Sequence, residues 1–237
     1  MSEFSIEILE ETDSTNEYLK RHPEKPAWSA VLAKKQTAGK GRLGRSFHSA
    51  EGLGMYLSMV LEAEGILDRL TPAAAVAARR VVQSLGVDCG IKWVNDIIVE
   101  RGGIWRKLCG ILVELRGNRA ILGIGIDLKQ TEADFPEELK DICTSVAIEG
   151  GRACEPVEAA ELFLGELKHV LQDEEAAFAE YCENCVTVGK DVFVKRTTED
   201  AGVPAKALRV NRDYSLEVVY PEGRRENVWM GEVSVKW

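Results

Sequence analysis

Gln36-Thr37-Ala38-Gly39-Lys40-Gly41-Arg42-Leu43-Gly44-Arg45 is the stretch on which the fold assignment turns. Residues 39–44 match Gly-x-Gly-x-x-Gly. In a doubly wound sheet that pattern marks a strand-to-helix turn that receives a dinucleotide's pyrophosphate. The reading requires a helix next. The residues that follow, RSFHSAEGLG, cannot open one. Gly-Lys-[Ser/Thr] is also absent, so this is not a Walker-type phosphate loop. What remains is a loop over 36–54 without hydrophobic periodicity. Its glycines allow close backbone approach, and Lys40, Arg42 and Arg45 suit phosphates and carboxylates. A solvated basic surface loop is the alternative.

Working outward, residues 4–9 (FSIEIL) alternate as a half-buried strand does. Ser14 and Glu17 fit a capping box, which predicts a helix over 15–20. Residues 30–33 and 55–62 read as buried strands. Thr71-Pro72 marks a helix start, with Gly86 as its stop. Residues 91–93 and 97–99 are short strands, and 107–115 pairs with the second of them across a turn at Gly102-Gly103. Residues 119–128 form another buried strand, and 156–181 is helical. From residue 188 the texture changes to short alternating strands separated by turn signals, as in a small barrel. The expected class is α+β with largely antiparallel strands. Residues 1–187 form one domain and 188–237 a C-terminal barrel.

The chain has 237 residues, 45% hydrophobic and 29% charged, with net charge -9. That charge argues against general nucleic-acid binding, which favours basic excess. Lys34, Lys35, Lys40, Arg42 and Arg45 form a local basic cluster in an acidic chain, which suits a small anionic ligand. No run approaches the roughly 20 apolar residues that span a bilayer, and the acidic N-terminus lacks a signal peptide's basic region. A cytoplasmic protein without membrane association is expected. Six cysteines include one CxxC, Cys182 and Cys185, with no second pair at zinc spacing. The plain reading is two small residues on a helix.

Three further stretches carry chemistry. Lys92-Trp93-Val94-Asn95-Asp96 sets a cation, an aromatic ring, an amide and a carboxylate where a strand ends. Lys107-Leu108-Cys109-Gly110-Ile111-Leu112-Val113-Glu114 starts an apolar strand with a lysine. Gly123-Ile124-Gly125-Ile126 puts two glycines in an apolar strand, where another backbone or a ligand must come close. Alone, each has a plain structural explanation. Together with Ser14-Thr15-Asn16, their order and spacing resemble the catalytic domain of the biotin–protein ligases. Trp229-Met230-Gly231-Glu232-Val233-Ser234 resembles the end of that family's small SH3-like barrel. The likeness covers nearly the whole chain. Two positions depart from it: Val94 stands where the family usually has Pro, and Asp127 where it usually has Asn.

The resemblance implies a class II synthetase-like catalytic domain with a mixed or antiparallel sheet. It implies activation of biotin by ATP with Mg²⁺ to biotinyl-5'-AMP. Transfer to a lysine of a biotin carboxyl carrier protein follows, and the family admits a homodimer. Ser14, Thr15, Asn16 and Gln36 would hold the ureido ring, beside Gly39, Lys40, Gly41, Arg42, Lys107 and Gly110. Lys40, Arg42, Arg45, Trp93, Asn95 and Lys107 would face the nucleotide or adenylate. Arg42 and Lys107 would stabilise charge, and Asp96 would orient or deprotonate the acceptor lysine. Trp93 has two equal readings, a stack beside adenine or a support for its strand. Alternatives are a lipoate or octanoate ligase of the same fold, and a noncatalytic biotin-binding module. A DNA-binding repressor form would carry a helix-turn-helix before residue 4, for which the sequence leaves no room.

Overall fold

The computed structural model describes residues 5–195, 201–229 and 232–235. Phe4, Met230 and Gly231, used in the reading above, lie outside them.

β1 (Ile6–Thr12) leads through α1 (Thr15–Arg21) to β2 (Ala30–Gln36) and, after the glycine-rich loop, to β3 (Gly54–Glu62). Helix α2 (Leu67–Ser84) precedes a meander of β4 (Gly90–Lys92), β5 (Asp96–Arg101), β6 (Ile104–Arg116) and β7 (Arg119–Asp127). The sheet order is β1-β2-β3-β7-β6-β5-β4. All pairs are antiparallel except β1 with β2, which is parallel. The sheet is thus mixed, within the expectation, and its parallel pair follows from α1: a helix between two neighbouring strands carries the chain back to start the second in the same direction.

Strand alternation divides the sheet into two faces. Ala30 and Leu32 of β2, Leu57 and Met59 of β3, and Leu122 and Ile124 of β7 face the main core. Helices α2 and α3 (Pro156–Gln172) cover that face. The alanines of α2 at 73–75, 77 and 78 are fully or almost fully buried, so the helix sits close to the strands. Val31, Val60 and Ile121 point the other way and meet only Leu19 of α1 and its neighbours. The second face is therefore covered at one end and open at the other.

Three expectations change. Helix α2 begins at Leu67, so Pro72 lies inside it rather than at its start. Leu67 and the fully buried Leu70 add an apolar turn upstream, and burial of that turn overrides the Thr-Pro signal. The span 156–181 is two helices, α3 and α4 (Glu174–Asn184). They break at Asp173, whose carboxylate accepts from the Ala176 amide as an N-cap. Ser14 caps α1 by backbone position only, with no side-chain cap bond. Glu17 does not close a capping box either. It receives the ammonium groups of Lys20 and Lys40 at 2.7 and 2.6 Å, charge-assisted bonds stronger than one to a backbone amide.

The C-terminal strands β8 (Asp191–Lys195), β9 (Val203–Val210), β10 (Leu216–Val219), β11 (Arg225–Val228) and β12 (Glu232–Val235) make a separate antiparallel sheet, order β11-β10-β9-β8-β12. This matches the expected SH3-like unit. Among the described residues no helix is long and apolar enough to cross a membrane.

Candidate active site

The open face of the sheet has a floor of glycine. On β6, Gly110, Leu112 and Glu114 alternate with the core residues Cys109, Ile111 and Val113. Gly110 pairs with Gly125 of β7, and Leu112 with Gly123. The glycines expected to admit a close neighbour do so, and the neighbours are side chains of the chain itself. A Cβ on Gly125 would stand 2.5 Å from Phe47 Cζ, and one on Gly123 would stand 3.0 Å from Asn16 Cγ.

The basic loop is more ordered than its lack of periodicity predicts. Phe47 N donates to Gly39 O at 2.8 Å and Gly41 N to Arg45 O at 2.7 Å, which folds 39–47 back on itself. A short 3-10 turn, Arg42–Gly44, forms the tip. Gly44 there has φ +76°, a left-handed conformation that glycine adopts without steric cost. Gly39 has no room for a side chain, since a Cβ would lie 2.5 Å from Phe47 O. The Phe47 ring closes over Gly110 and Gly125 and holds the loop down, with Tyr56 edge-on at 6.3 Å.

Around this floor lie two clefts that share Gly41, Arg42, Phe47, Asn95 and Lys107. The first, open to solvent, spans about 460 Å³ and is polar at one end, where Ser14, Thr15, Asn16 and Gln36 converge. Gln36 Oε1 accepts from Thr15 N at 2.8 Å, and Gln36 Nε2 donates to Ser49 Oγ at 2.9 Å. The second, also open to solvent, spans about 620 Å³ and adds Arg45, Lys92, Trp93 and Asp96, with Val233 from the C-terminal sheet.

Arg42 Nη1 donates to Asn95 Oδ1 at 2.9 Å, and Asn95 Nδ2 donates to Ile111 O at 2.9 Å, so the amide both aims the guanidinium and ties it to β6. Lys107 Nζ stands 2.7 Å from Asp96 Oδ1. Burial alone would lower the lysine's pKa. The Asp96 carboxylate outweighs it and holds Lys107 above its ordinary value. A register shift in the β5–β6 pairing, opposite Leu108, sends Lys107 to the same face as Gly110 three residues on. Trp93 is buried. Its Nε1 donates to Tyr214 O at 2.9 Å and its amide to Thr187 Oγ1 at 2.9 Å. The ring thus braces the segment between the two sheets and also borders the second cleft. The Trp93–Val94 peptide bond is cis.

Of the candidate site residues, Ser14, Thr15, Asn16, Gln36, Lys40, Gly41, Arg42, Arg45, Trp93, Asn95, Asp96, Lys107 and Gly110 line the two adjoining clefts and Gly39 packs beside them, whereas Lys34 and Lys35 of the basic cluster pair instead with Glu10 and Glu11. Phe47, Ser49, Ser58 and Glu114 were not assigned there. Ser58 carried a signal, being the one polar residue inside an apolar strand. Asp127 is fully buried and receives Gln130 Nε2 at 2.5 Å. Burial pushes its pKa far above the usual carboxylate range despite the nearby Lys107. The six cysteines are free, and burial raises their pKa values, so none is poised as a thiolate.

Cations, an oriented amide and a hydroxyl-rich end on a glycine floor give the cleft the chemistry to hold anionic groups beside polar ones. Residues 8–129 match the biotin/lipoate A/B protein ligase family, and the chain belongs to that family. It is 35% identical over 184 residues to the bifunctional ligase/repressor BirA of Bacillus subtilis, covering 74% of this chain and 53% of that one. It is 34% identical over 168 residues to the biotin–[acetyl-CoA-carboxylase] ligase of Paracoccus denitrificans, covering 65% of this chain and 68% of that one. The chain spans about half the length of the first of these relatives. Its fold superposes on the biotin protein ligase of Aquifex aeolicus in complex with biotin and ATP, with TM-score 0.82, 26% identity and 98% of both chains covered.

Proposed function

We propose that this chain is a biotin–protein ligase, acting with ATP to form biotinyl-5'-AMP and then biotinylating a lysine of a carrier protein. The observation that carries the reading is the pairing of two ends in one cleft. The Ser14-Thr15-Asn16-Gln36 end offers hydroxyls and amides that match a ureido ring's N–H and C=O groups. Arg42 and Lys107, at the other end, supply positive charge where a carboxylate must meet a phosphate.

In the first step a carboxylate oxygen of biotin bonds to the α-phosphorus of ATP and the bond to pyrophosphate breaks. Both reactants are anions, so Arg42, Lys40 and Lys107 act by offsetting their repulsion, and Arg42 arrives already aimed by Asn95. Gly39 and Gly41 let the loop fold back on itself, and Gly110 lets Lys107 and Phe47 lie close over β6. Arg45, Trp93 and Asn95 border the nucleotide's part of the cleft. In the second step the acceptor amine bonds to the acyl carbon, AMP leaves, and a proton is lost from nitrogen. Asp96 is the group for that proton. Its carboxylate is paired with Lys107 at 2.7 Å and is released when Lys107 turns to the acyl oxygen. Among the described residues no three carboxylates, imidazoles or thiols converge on one point. Mg²⁺ fits as a partner of the nucleotide's phosphates and water rather than of a protein cage. We read residues 1–187 as the unit that binds biotin and ATP, and 188–237 as the appended barrel.

The test is biotin-dependent exchange of labelled pyrophosphate into ATP, followed by mass spectrometry of a carrier domain. Exchange with biotin but not lipoate or octanoate is expected. Equal turnover of lipoate would move the chain to the sister activity, and biotin binding without exchange would leave a noncatalytic module.

A further inference from the structure

We infer that Glu114 of β6 is the positioning residue of this site. It sets which atoms of the Thr15-Asn16 end donate and which accept, and it holds Lys40 of the basic loop in place. The inference builds on the biotin reading above.

Each carboxylate oxygen of Glu114 starts a separate chain. Oε2 accepts from Asn16 Nδ2 at 2.8 Å, and Oε1 accepts from Lys20 Nζ at 2.7 Å. The first chain continues through buried groups. Ser58 Oγ lies 2.5 Å from Asn16 Oδ1 and 2.6 Å from Thr15 Oγ1. Thr15 Oγ1 lies 3.1 Å from Gln36 Oε1, and Gln36 leads through Ser49 Oγ to the Phe47 carbonyl, 3.2 Å beyond. Asn16 is 3% exposed and Ser58 is fully buried.

A hydroxyl has one proton, so Ser58 cannot donate to both neighbours. Serine and threonine hydroxyls donate or accept equally well, and an amide fits either way round. Nothing between Ser58 and Asn16 decides the direction. Glu114 does, because an ionised carboxylate only accepts. It draws Nδ2 toward itself and turns Oδ1 to Ser58, and the Ser58 proton goes to Asn16. Gln36 Oε1 is fixed from the other side by the Thr15 amide. The Thr15 hydroxyl proton then goes to Ser58, because their oxygens lie 2.6 Å apart and the Ser58 proton is already engaged. Toward the cleft Thr15 presents lone pairs alone, the partner a ureido N–H requires.

The second chain is ionic. Lys20 bridges Glu114 and Glu17, and the same Glu17 oxygen receives Lys40 Nζ at 2.6 Å. The order Glu114, Lys20, Glu17, Lys40 alternates in sign from the sheet, through α1, to the loop. Without the charge on Glu114, Lys20 draws wholly on Glu17 and weakens its hold on Lys40.

The test compares the 237-residue chain with Glu114→Gln, Ser58→Ala, Lys20→Met and the double variant Glu114→Gln/Lys20→Met. Two measurements are made: calorimetric titration with biotin alone, and amide hydrogen exchange over 39–49 in the free protein. Thermal melting controls for the fold. Glu114→Gln should weaken biotin about tenfold, one hydrogen bond's contribution, without lowering the melting temperature to match. It should also speed exchange over 39–49 by about fivefold or more. Ser58→Ala should reproduce the first effect, whereas Lys20→Met, which leaves Glu17 wholly to Lys40, should not speed exchange and should cancel the increase when combined with Glu114→Gln. Wild-type affinity and exchange in Glu114→Gln would overturn the inference. So would a biotin loss that Ser58→Ala does not share, or faster exchange that adding Lys20→Met does not reverse. If the wild-type protein takes up no biotin, the functional reading fails, while the exchange comparison still decides the role of Glu114.

Discussion

Replacing Gly125 with alanine should separate stability from activity. A strand glycine costs about 0.5–1 kcal/mol relative to alanine, so the change alone favours the fold. At this site the new methyl would stand 2.5 Å from Phe47 Cζ, where carbon contacts normally lie at about 3.5–4 Å. One side must move by about 1 Å. β7 is paired with β3 on one side and β6 on the other, whereas Phe47 belongs to a loop. The ring gives way. Overpacking of this kind costs about 1–3 kcal/mol, so the net loss of stability is about 0–2.5 kcal/mol. The ring moves with residues 39–47, which carry Lys40 and Arg42. A 1 Å displacement of a positioned group costs about a hundredfold in rate, so activity should fall far more than stability. Urea unfolding and biotin-dependent pyrophosphate exchange measure the two. Adding Phe47→Leu should relieve the clash and return part of the rate, a favourable coupling between two residues in contact. The reasoning fails if Gly125→Ala keeps wild-type exchange, or if the rate is lost and Phe47→Leu deepens the loss additively.

Lys107→Ala should lower pyrophosphate exchange by about 10²–10³, the usual cost of removing one charge-stabilising donor. Its stability should fall by about 1–3 kcal/mol, because the largely buried Asp96 carboxylate loses its partner; melting and exchange rates check both. Asp127→Asn should be more stable than the wild type at alkaline pH, with the gap closing toward pH ~4, where the unfolded acid also takes up its proton. The sign follows from burial: the native carboxyl binds a proton more readily than the unfolded one, so raising the pH penalises the folded state. Denaturation midpoints across pH read it, and parallel curves for the two proteins would contradict it. Arg42→Gly removes the bond to Asn95 and the side chain common to both clefts. Release of free adenylate and labelling of unrelated lysines should rise, as mass spectrometry of a bystander protein would register.

The strands were legible because period-two alternation survives wherever one face is buried, as at residues 55–62 and 119–128. Helix limits were less so. Asp173 reads as an interior acid until the chain is seen to turn there and its carboxylate to meet Ala176 N. Leu67 and Leu70 extend α2 upstream of a strong Thr-Pro signal because tertiary burial, which no local motif announces, outweighs it. The parallel β1–β2 pair was likewise hidden, since pairing direction depends on which strands become neighbours.

The site divides along the same line. Side-chain chemistry at Arg42, Lys107 and the Ser14-Thr15-Asn16 turn was readable, because residue type and spacing carry it. Geometry was not. In a regular strand Lys107 and Gly110, three apart, point to opposite faces. The shift opposite Leu108 brings them together, and that single irregularity separates a boundary lysine from one over the cleft. Glu17 shows the converse. Its spacing from Ser14 predicts a cap, yet Lys40, distant in sequence, brings a full charge to it. A local rule is decided by the strongest available partner, and at this cleft the strongest partners come from the far side of a loop. The informative residues are therefore those whose local signal the structure overrides. Glu17 and Lys107 are two of them, and both hold ion pairs at the cleft.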